Sequence, residues 1–359
     1  MTPSVSVERA DLTPSLVDEW AELAADVAAG PFVGPGWIQP WRAAFGRGRL
    51  VIFVARHRGR LVGVLPLERH FGVLRSPTNA HTPVFDHIAT DDEVTRALAE
   101  RVLEHKAPVV SLGRLEAGGP LTEALQDCAP RHRYRTVTRT MGRSPYVVTS
   151  GGLAAYERRV SRNLRHDVER RTRRLSELGA VSLEICSGRE ELPRLLQEGL
   201  EVERRGWKGA QRTAIASRAR TRDFYVAAAR WAASCGWLRL AFLRLDGRPI
   251  AFQFDLQSAD TYYSLKIGHE PAYERYSPGK VLAYNMVARA ASAGLATYEL
   301  LGVDEAWKRR FTAASRELVA LHAFSSSPTG RLARSGHTYG RGLARRVPLA
   351  ARASSILRR

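Results

Sequence analysis

The sequence predicts a mixed α/β protein in which one structural plan is used twice. A strand, a tight turn and a second strand are predicted at "LVIFVARHRGRLVGVLPL" (50–67) and again at "LRLAFLRLDGRPIAFQFD" (238–255). Each turn carries a glycine, Gly59 or Gly247, between apolar alternating runs, which is typical of a β-hairpin. Helical patterns precede each hairpin, and a helix and a strand follow it, so the surroundings of the two hairpins also correspond.

The elements around the hairpins have the same order in both halves. The helical patterns and the strands that follow lie at 14–28, 37–45, 92–105 and 108–113 in the first half, and at 190–205, 218–235, 278–293 and 297–301 in the second. A further strand is predicted at 260–268. We therefore expect two tandem domains, each a twisted mixed sheet flanked by helices.

The predicted join between the halves lies near 142–152, "GRSPYVVTSGG", because Gly, Ser and Pro favour loops. This join places a first domain at 1–148 and a second at 149–324. The remaining tail, 325–359, holds eight arginines and no acidic residue. Its sparse apolar residues predict a mostly disordered tail with a short amphipathic helix near 340–357.

Composition limits what the protein can bind. The 359 residues carry 55 Lys and Arg against 36 Asp and Glu, and this net charge of +19 favours nucleic acid, anionic lipid or a phosphorylated small molecule as partner. The three cysteines have neither metal-binding nor disulfide spacing. The N-terminus lacks the apolar core of a signal peptide, and no apolar run approaches the roughly 18 residues of a membrane span. A cytoplasmic protein without a transmembrane segment is expected.

Arginine is concentrated in one predicted helix, 153–179. Eight arginines lie in its central part, against two acidic residues. The helix either presents a solvated charged face or faces an anion beside a functional site. In the second case Arg162 and Arg165 would contact the substrate.

The stretch "YSPGKVLAY" (276–284) has the pattern of a helix start that favours an anion. Ser277 is placed to cap the helix, and Pro278 takes the first helical position, where its missing N–H costs nothing. Gly279 has no side chain to keep a ligand from the backbone, and the helix dipole and Lys280 both attract negative charge. The competing interpretation is an ordinary helix start, since Ser-Pro begins many helices.

Polar groups collect again in "VDEAWKRRF" (303–311), directly after a predicted strand. Asp304 or Glu305 is placed to act as a general base or to orient an acceptor. Lys308 would contact the substrate or hold the carboxylate, and Trp307 would wall the pocket. The alternative is an ordinary helix N-terminus with an Asp304–Lys308 ion pair.

The predicted strand 260–268 has one polar face. Its alternation places Tyr262, Ser264 and Lys266 on the same side. Tyr262 and Lys266 therefore either line an acceptor pocket or lie on a solvated face. The ten histidines show no metal-ligand spacing, so no metal site is predicted.

Three stretches of the second half together resemble one known family. These stretches are "LRLDGRPIAFQFDL" (243–256), "YYSLKIGHEPAYERYSPGKVL" (262–282) and "LLGVDEAWKRRF" (300–311). In this order they resemble the CelD-like acetyltransferases of the GNAT superfamily, which are relatives of the FemABX peptidyltransferases. The first half shares only the general layout, because "HFGVLRSPTNAHTPVFDH" (70–87) has no Ser-Pro-Gly turn leading into a helix. We therefore expect the first copy to bind no cofactor.

The resemblance implies two tandem GNAT-like domains and an acyl-CoA donor, acetyl-CoA or another acyl-CoA, bound by the second domain. The turn at 277–280 would hold the phosphates of the donor, and Phe254 would be a further contact of the donor. Trp207 and Lys208 would belong to the acceptor side. The acidic pair followed by Trp307 and Lys308 matches the family pattern at the catalytic position.

The implied reaction is direct transfer of the acyl group to an amine or hydroxyl of a small acceptor, anionic acceptors included. The chain contains no G-x-S-x-G elbow, in agreement with a reaction that needs no covalent intermediate. The FemABX branch uses aminoacyl-tRNA instead, so a tRNA-dependent aminoacyltransferase is the alternative. The arginine-rich helix and tail would supply the basic surface that tRNA requires.

Overall fold

The computed structural model describes residues 5–187, 191–206 and 215–346. Its strands form one large mixed sheet with helices on both faces. The strands are β1 (Ser6–Ala10), β2 (Arg49–His57), β3 (Arg60–His70), β4 (Val73–Arg75), β5 (Ile88–Ala89), β6 (Val109–Glu116), β7 (Tyr134–Val148), β8 (Val181–Cys186), β9 (Leu238–Leu245), β10 (Arg248–Ser258), β11 (Thr261–His269), β12 (Thr297–Glu299) and β13 (Ser315–Ser325). The helices are α1 (Pro14–Asp26), α2 (Pro35–Phe45), α3 (Asp92–Glu104), α4 (Pro120–Cys128), α5 (Gly152–Arg159), α6 (Arg162–Ser176), α7 (Leu192–Arg205), α8 (Ala219–Ser234), α9 (Pro278–Ser292) and α10 (Pro328–Arg346).

The strand order shows the same plan in both halves, with one strand exchanged between them. From one edge the order is β1-β2-β3-β4-β6-β13-β7-β12-β11-β10-β9-β8. Each half has a run of antiparallel strands that ends in a parallel pair, β4 with β6 and β11 with β12. The strand beyond each parallel pair comes from the other half, because β13 pairs with β6 and β7 pairs with β12. The division into 1–148 and 149–324 therefore stays a prediction, since β13 completes the sheet of the first half.

Both predicted hairpin turns are confirmed. The two central residues of each turn have positive φ, 52° and 82° at Arg58 and Gly59 and 49° and 76° at Asp246 and Gly247. Positive φ at both positions is the geometry of a type I′ turn, whose twist matches that of the flanking strands. The local sequence was therefore sufficient to fix both hairpins.

Two helix predictions are corrected by the structure. The arginine-rich segment forms two helices, α5 and α6, because the backbone at Val160 is extended. The tail begins with α10 at Pro328, so a helix starts earlier than the predicted 340–357. The Ser327 hydroxyl accepts the Gly330 N–H at 3.1 Å and caps this helix. The helix predicted near 340–357 lies partly outside the described residues.

A β-bulge interrupts the regular alternation of β11. Phe254 of β10 stands opposite Lys266, but the next residue of β10, Asp255, stands opposite Ser264. Leu265 is therefore the extra residue, and the bulge turns the residues that follow it to the other face of the sheet.

The bulge separates Tyr262 from Lys266. Tyr262 stacks on Tyr298, with ring centroids 5.0 Å apart, within the core that lies under α9. Lys266 lies on the opposite face, with Nζ 5.6 Å from the centroid of the Tyr225 ring. The prediction of a single polar face through Tyr262, Ser264 and Lys266 is therefore wrong at its last residue.

Three clusters of buried side chains cover the sheet. One joins α1 and α2 of the first half to α7 and α8 of the second, with Trp20 and Trp37 fully buried in it. Another packs α9 on the second half of the sheet through Val281, Leu282 and Met286, and this packing fixes the N-terminus of α9 beside β11. The third lies under α3 and α4. Across the described ranges, no helix is both long and apolar enough to cross a membrane.

Candidate active site

A cleft opens where the parallel pair β11–β12 comes apart. The pairing ends at Tyr263 opposite Glu299. Beyond this pair, residues 264–267 of β11 and residues 300–303 after β12 form opposite walls of a pocket of about 650 Å³. The edge of a strand that leaves its neighbour can pair with an extended ligand, so this cleft can receive a chain that carries amide groups.

The N-terminus of α9 forms one end of the cleft. The helix begins at Pro278 as predicted, and Ser277 is its cap residue, with a left-handed backbone (φ 48°) and no capping bond from its side chain. Gly279 lines the cleft, and a Cβ at this position would lie 3.6 Å from atoms of His269 and Ile267, at ordinary contact distance. The first turn of α9 and its dipole are therefore placed to attract an anion in the cleft.

Lys280 also lines the cleft, and Asp167 of α6 holds its ammonium. The Nζ–Oδ2 distance is 3.0 Å, and the two side chains are only 15% and 10% exposed. Arg170, Arg171 and Arg310 approach the same carboxylate at 2.7, 2.9 and 3.6 Å. Burial pushes the pKa of Asp167 upward, but Lys280 and the arginines outweigh burial and hold the pKa well below its usual range. One carboxylate thus gathers four cations, which leaves this end of the cleft positively charged.

Asp167→Asn is expected to lower the free energy of unfolding at pH 7 by about 3 kcal/mol, because it leaves the largely buried ammonium of Lys280 without its counter-ion. The depressed pKa means that the stabilisation by Asp167 is fully present above the unfolded value near 3.8 and is lost as the pH falls below it. Urea unfolding at pH 7 and pH 3 should therefore show a difference between wild type and variant that shrinks at the lower pH. Asp26→Asn breaks an exposed pair with Arg60 and should cost less than about 1 kcal/mol. An equal loss in both variants would contradict the expectation.

Lys308 fixes the wall that follows β12. Its side chain is 7% exposed, and Nζ lies 3.2 Å from Glu305 Oε2. The same ammonium donates to the carbonyl oxygens of Leu301 and Val303 at 2.7 and 3.1 Å. Of the two predicted roles of Lys308, holding the carboxylate is the one that agrees with this geometry.

The two acids of the pair make different contacts. Glu305 lines the cleft, and its Oε2 accepts the Trp307 Nε1–H at 3.0 Å. Trp307 lines the cleft as well. Asp304 pairs with Arg309 at 3.2 Å and is not among the residues that line the cleft. Glu305 is therefore the carboxylate of this pair that lines the cleft.

Both halves build the other end of the cleft. Its lining includes Ala80, His81 and Pro83 from the segment 70–87, Arg114 from β6, Tyr225 from α8 and Lys266 from β11. The His81 ring stacks on Phe45 at 5.2 Å, and the Tyr225 hydroxyl lies 3.4 Å from His81 Nδ1. The segment that lacks the Ser-Pro-Gly turn in the first copy thus supplies a wall of the cleft in the second.

Burial changes the titration of the groups at this end. It lowers the pKa of His81 to about 4, with the charges of Lys266, Arg218 and Arg114 adding to the effect. The imidazole is therefore neutral at pH 7. Burial also raises the pKa of Tyr225 well above its usual range and lowers the pKa of the Arg114 guanidinium. The wall combines two neutral hydrogen-bonding side chains with two cationic ones.

Two predicted site residues lie in the core instead. Phe254 is fully buried in the cluster shared by the two halves, so its expected contact with the donor is corrected to a packing position. Tyr262 is 4% exposed and stacked on Tyr298, so it faces the core under α9 rather than an acceptor. Both residues lie on faces of the sheet that helices cover, and that packing removes them from the cleft.

Arg162 and Arg165 are not among the residues that line the cleft. Arg162 and Arg165 line a separate surface pocket at the start of α6, together with residues of α5. Asp167 of the same helix reaches the start of α9. Trp207 and Lys208 lie outside the described residues, so their assignment to the acceptor side stays a prediction.

Four residues at or beside the cleft were not predicted from the sequence: His81, Arg114, Asp167 and Tyr225. A signal existed for Asp167, because an acid within an arginine-rich stretch indicates an ion-pair centre. His81, Arg114 and Tyr225 carried no local signal, since they come from three separate elements that meet only in the folded chain.

A second pocket, of about 540 Å³, lies near the start of α3. Its charge is opposite to the positive charge at the α9 end of the cleft. Its lining includes the carboxylates of Asp86, Asp91, Asp92, Glu116 and Glu299, with Arg316 among them. Asp91 caps α3, and two further acids lie in the first helical turn. Negative charge at this helix start disfavours a phosphate group, in contrast to the start of α9.

Comparison with known proteins identifies the second half. The family model of the acetyltransferase (GNAT) domain matches residues 162–309. This range contains the start of α9, the separating strands and the segment with Glu305 and Lys308. A comparison with curated protein sequences yields no match.

Several solved structures share the fold at low sequence identity. FemX is 11% identical, with a TM-score of 0.58 over 90% of this chain and 99% of FemX. The DUF2156 domain of an Agrobacterium fabrum protein is 13% identical, with a TM-score of 0.57 over 90% of this chain and 95% of that domain. L-PGS from Bacillus licheniformis is 12% identical, with a TM-score of 0.53 over 87% of this chain and 97% of L-PGS. At such identities the likeness shows the fold alone, and it extends over both halves of the chain.

Most of the residues that line the cleft lie within the range that the family model matches, and the first half supplies the remaining wall. Residues 162–309 form a GNAT-type acetyltransferase domain, and the protein is an acyltransferase.

Proposed function

We propose that the protein is an acyl-CoA-dependent N- or O-acyltransferase that acts on a small acceptor, with acetyl-CoA as the first donor to test. The observation that carries this proposal is the position of the α9 N-terminus at one end of a cleft that runs along the edge of β11. A helix N-terminus binds phosphate, and a free strand edge pairs with amides, and coenzyme A contains both groups. The CelD-like assignment belongs to the same proposal and rests on the three stretches that carry it.

The residues at this end of the cleft fit the donor. Gly279 keeps the wall open, because no side chain fills the space before His269 and Ile267. Lys280 and the arginines around Asp167 supply positive charge for the phosphates. The donor itself supplies an activated acyl group, and the chain has to hold it, exclude water and move one proton.

Glu305 is the residue that we assign to the proton. The Trp307 N–H and the Lys308 ammonium orient its carboxylate, so it is held at the wall of the cleft without being fully buried. A carboxylate at this position can accept the proton of an amine or hydroxyl as that group attacks the acyl carbon. Lys308 acts on Glu305 and on the backbone of the wall, as a positioning residue.

A tRNA-dependent aminoacyltransferase is the second candidate. FemX shares the fold, and the basic surfaces of α6 and α10 would favour RNA. The compact positive end of the cleft needs no extended surface, which favours the acyl-CoA donor.

Calorimetry at 50 and 200 mM salt separates the two donors. Acetyl-CoA should bind with a shallow salt dependence, since it engages few phosphates, whereas a tRNA that binds through many phosphates shows a steep log–log slope. Arg173→Gln with Arg174→Gln removes two exposed charges of α6 and should leave the affinity for acetyl-CoA unchanged. Binding of aminoacyl-tRNA at 200 mM salt, with no heat from acetyl-CoA or longer acyl-CoAs, would replace the proposal by the second candidate.

A further inference from the structure

The end of the cleft that lies away from α9 carries groups that the reaction described above does not use. Arg114 and His81 come from the first half, and Tyr225 and Lys266 come from the second. The bulge in β11 turns Lys266 to the face of the sheet that carries Tyr225, opposite to the face on which α9 packs. The two ends of the cleft therefore lie on different faces of the sheet, and the far end is reached through the gap between β11 and residues 300–303.

The far end is arranged as a set of hydrogen-bonding groups around two cations. The Tyr225 hydroxyl lies 3.4 Å from His81 Nδ1, and the Lys266 ammonium lies over the Tyr225 ring. Arg114 donates one N–H to the Pro83 carbonyl at 3.5 Å, and a guanidinium has five N–H groups in a planar fork. This fork matches the two oxygens of a carboxylate or phosphate.

Several titratable groups of the described residues face His81 at this wall. These groups are Tyr225 of α8, Lys266 of β11, Arg114 of β6 and Arg218 before α8, and they comprise three cations and a neutral phenol. A partly buried guanidinium pays a desolvation penalty that an anionic partner would offset. A small anion bound at Arg114, in the part of the cleft that Lys266 also lines, would therefore offset this penalty.

We propose that this wall recognises an acceptor that carries a carboxylate or phosphate next to its nucleophilic amine or hydroxyl, with Arg114 and Lys266 binding the anionic group. The inference rests on the proposed function, because it assigns the other substrate of the same cleft. His81 and Tyr225 are positioning residues that hold the acceptor by hydrogen bonds.

The arrangement gives the transfer a complete path. The nucleophile forms the new bond to the acyl carbon and gives its proton to Glu305, while the carbon–sulfur bond breaks and the sulfur leaves with the electron pair. Glu305 then gives up this proton, which the thiolate takes, so that the free thiol is released and the carboxylate is restored. The anionic group of the acceptor stays bound to Arg114 and Lys266 throughout. Anchoring one end of a small acceptor orients its nucleophile toward the gap in the sheet.

His81 provides a direct measurement of anion binding. A bound anion offsets the positive charges of Lys266, Arg218 and Arg114, so the pKa of His81 should rise when the anion binds. Imidazole NMR of the full chain, titrated with sodium phosphate or sodium acetate against sodium chloride at the same ionic strength, gives this pKa and the affinity of the anion. Calorimetry on the same samples measures the affinity for acetyl-CoA, which we place at the α9 end of the cleft.

Arg114→Gln and Lys266→Gln should each weaken phosphate or acetate binding about ten-fold or more, as for one charge-assisted contact, and leave the affinity for acetyl-CoA unchanged. Arg131→Gln removes one exposed positive charge outside the cleft and should change neither affinity. If phosphate binds more strongly than acetate, the acceptor carries a phosphate group. If acetate binds more strongly than phosphate, the acceptor carries a carboxylate. Free-thiol release should then be faster with glycine than with glycinamide, or with phosphoethanolamine than with ethanolamine.

A wild-type His81 pKa that phosphate and acetate leave unchanged overturns the inference, whatever acetyl-CoA does. An Arg114→Gln variant that loses affinity for succinyl-CoA, keeps its affinity for acetyl-CoA and binds phosphate like wild type also overturns it, because the anion then belongs to the donor. A protein that binds the anion at this wall but no acyl-CoA overturns the proposed function instead, so the two failures are distinct.

Discussion

Replacing Glu305 by glutamine is expected to lower turnover by on the order of 10²–10⁴-fold while the affinity for acetyl-CoA stays unchanged. Glutamine keeps an oxygen that can accept the Trp307 Nε1–H, so the wall of the cleft is preserved and only the proton-accepting carboxylate is lost. Lys308 retains its bonds to the carbonyl oxygens of Leu301 and Val303. Free-thiol release from acetyl-CoA measures turnover, and calorimetry measures binding.

The neighbouring acid provides a matched control for Glu305. Asp304→Asn removes the same charge one residue away, from a carboxylate that pairs with Arg309 and does not line the cleft. It should keep turnover within a few-fold of wild type, and a loss as large as that of Glu305→Gln would show that the assignment between the two acids is wrong. Full activity in Glu305→Gln would remove Glu305 from the proton path.

Gly279→Glu is expected to abolish binding of coenzyme A thioesters. The new carboxylate would stand at the first turn of α9, where we place the phosphates of the donor. Two like charges about 4 Å apart near a protein surface repel by about 4 kcal/mol, which corresponds to an affinity on the order of 10³-fold lower. Calorimetry with coenzyme A measures the change, and circular dichroism checks that the fold is kept.

Two further substitutions at Gly279 separate charge from size. Gly279→Ala adds a Cβ at ordinary contact distance, 3.6 Å from His269 and Ile267, and should change the affinity little. Glutamine has the size of glutamate without its charge. The Gly279→Gln variant should therefore bind coenzyme A more tightly than the Gly279→Glu variant, and the difference in affinity measures the electrostatic repulsion alone. An unchanged affinity in a folded Gly279→Glu protein would exclude the α9 N-terminus as the phosphate site.

Local patterns in the sequence predicted the parts of the fold that depend on neighbouring residues. The glycines at 59 and 247 specified two hairpin turns, because their backbone requires positive φ. Pro278 marked the start of α9, since proline fits the first helical position. The arginine-rich helix was predicted without its break at Val160, because no Gly or Pro marks that position.

The sequence by itself determined the duplicated α/β plan, both hairpins, the anion-favouring start of α9 and the acidic segment after β12, since each depends on residues close together in the chain. Only the tertiary structure decided that β7 and β13 are exchanged between the halves, that Glu305 rather than Asp304 lines the cleft, and that Lys280 is held by Asp167. It also brought His81 and Arg114 to a cleft whose other walls lie more than a hundred residues away in sequence. These features depend on strand register, a bulge and long-range packing, and one residue of register reverses the face on which a strand places its side chains.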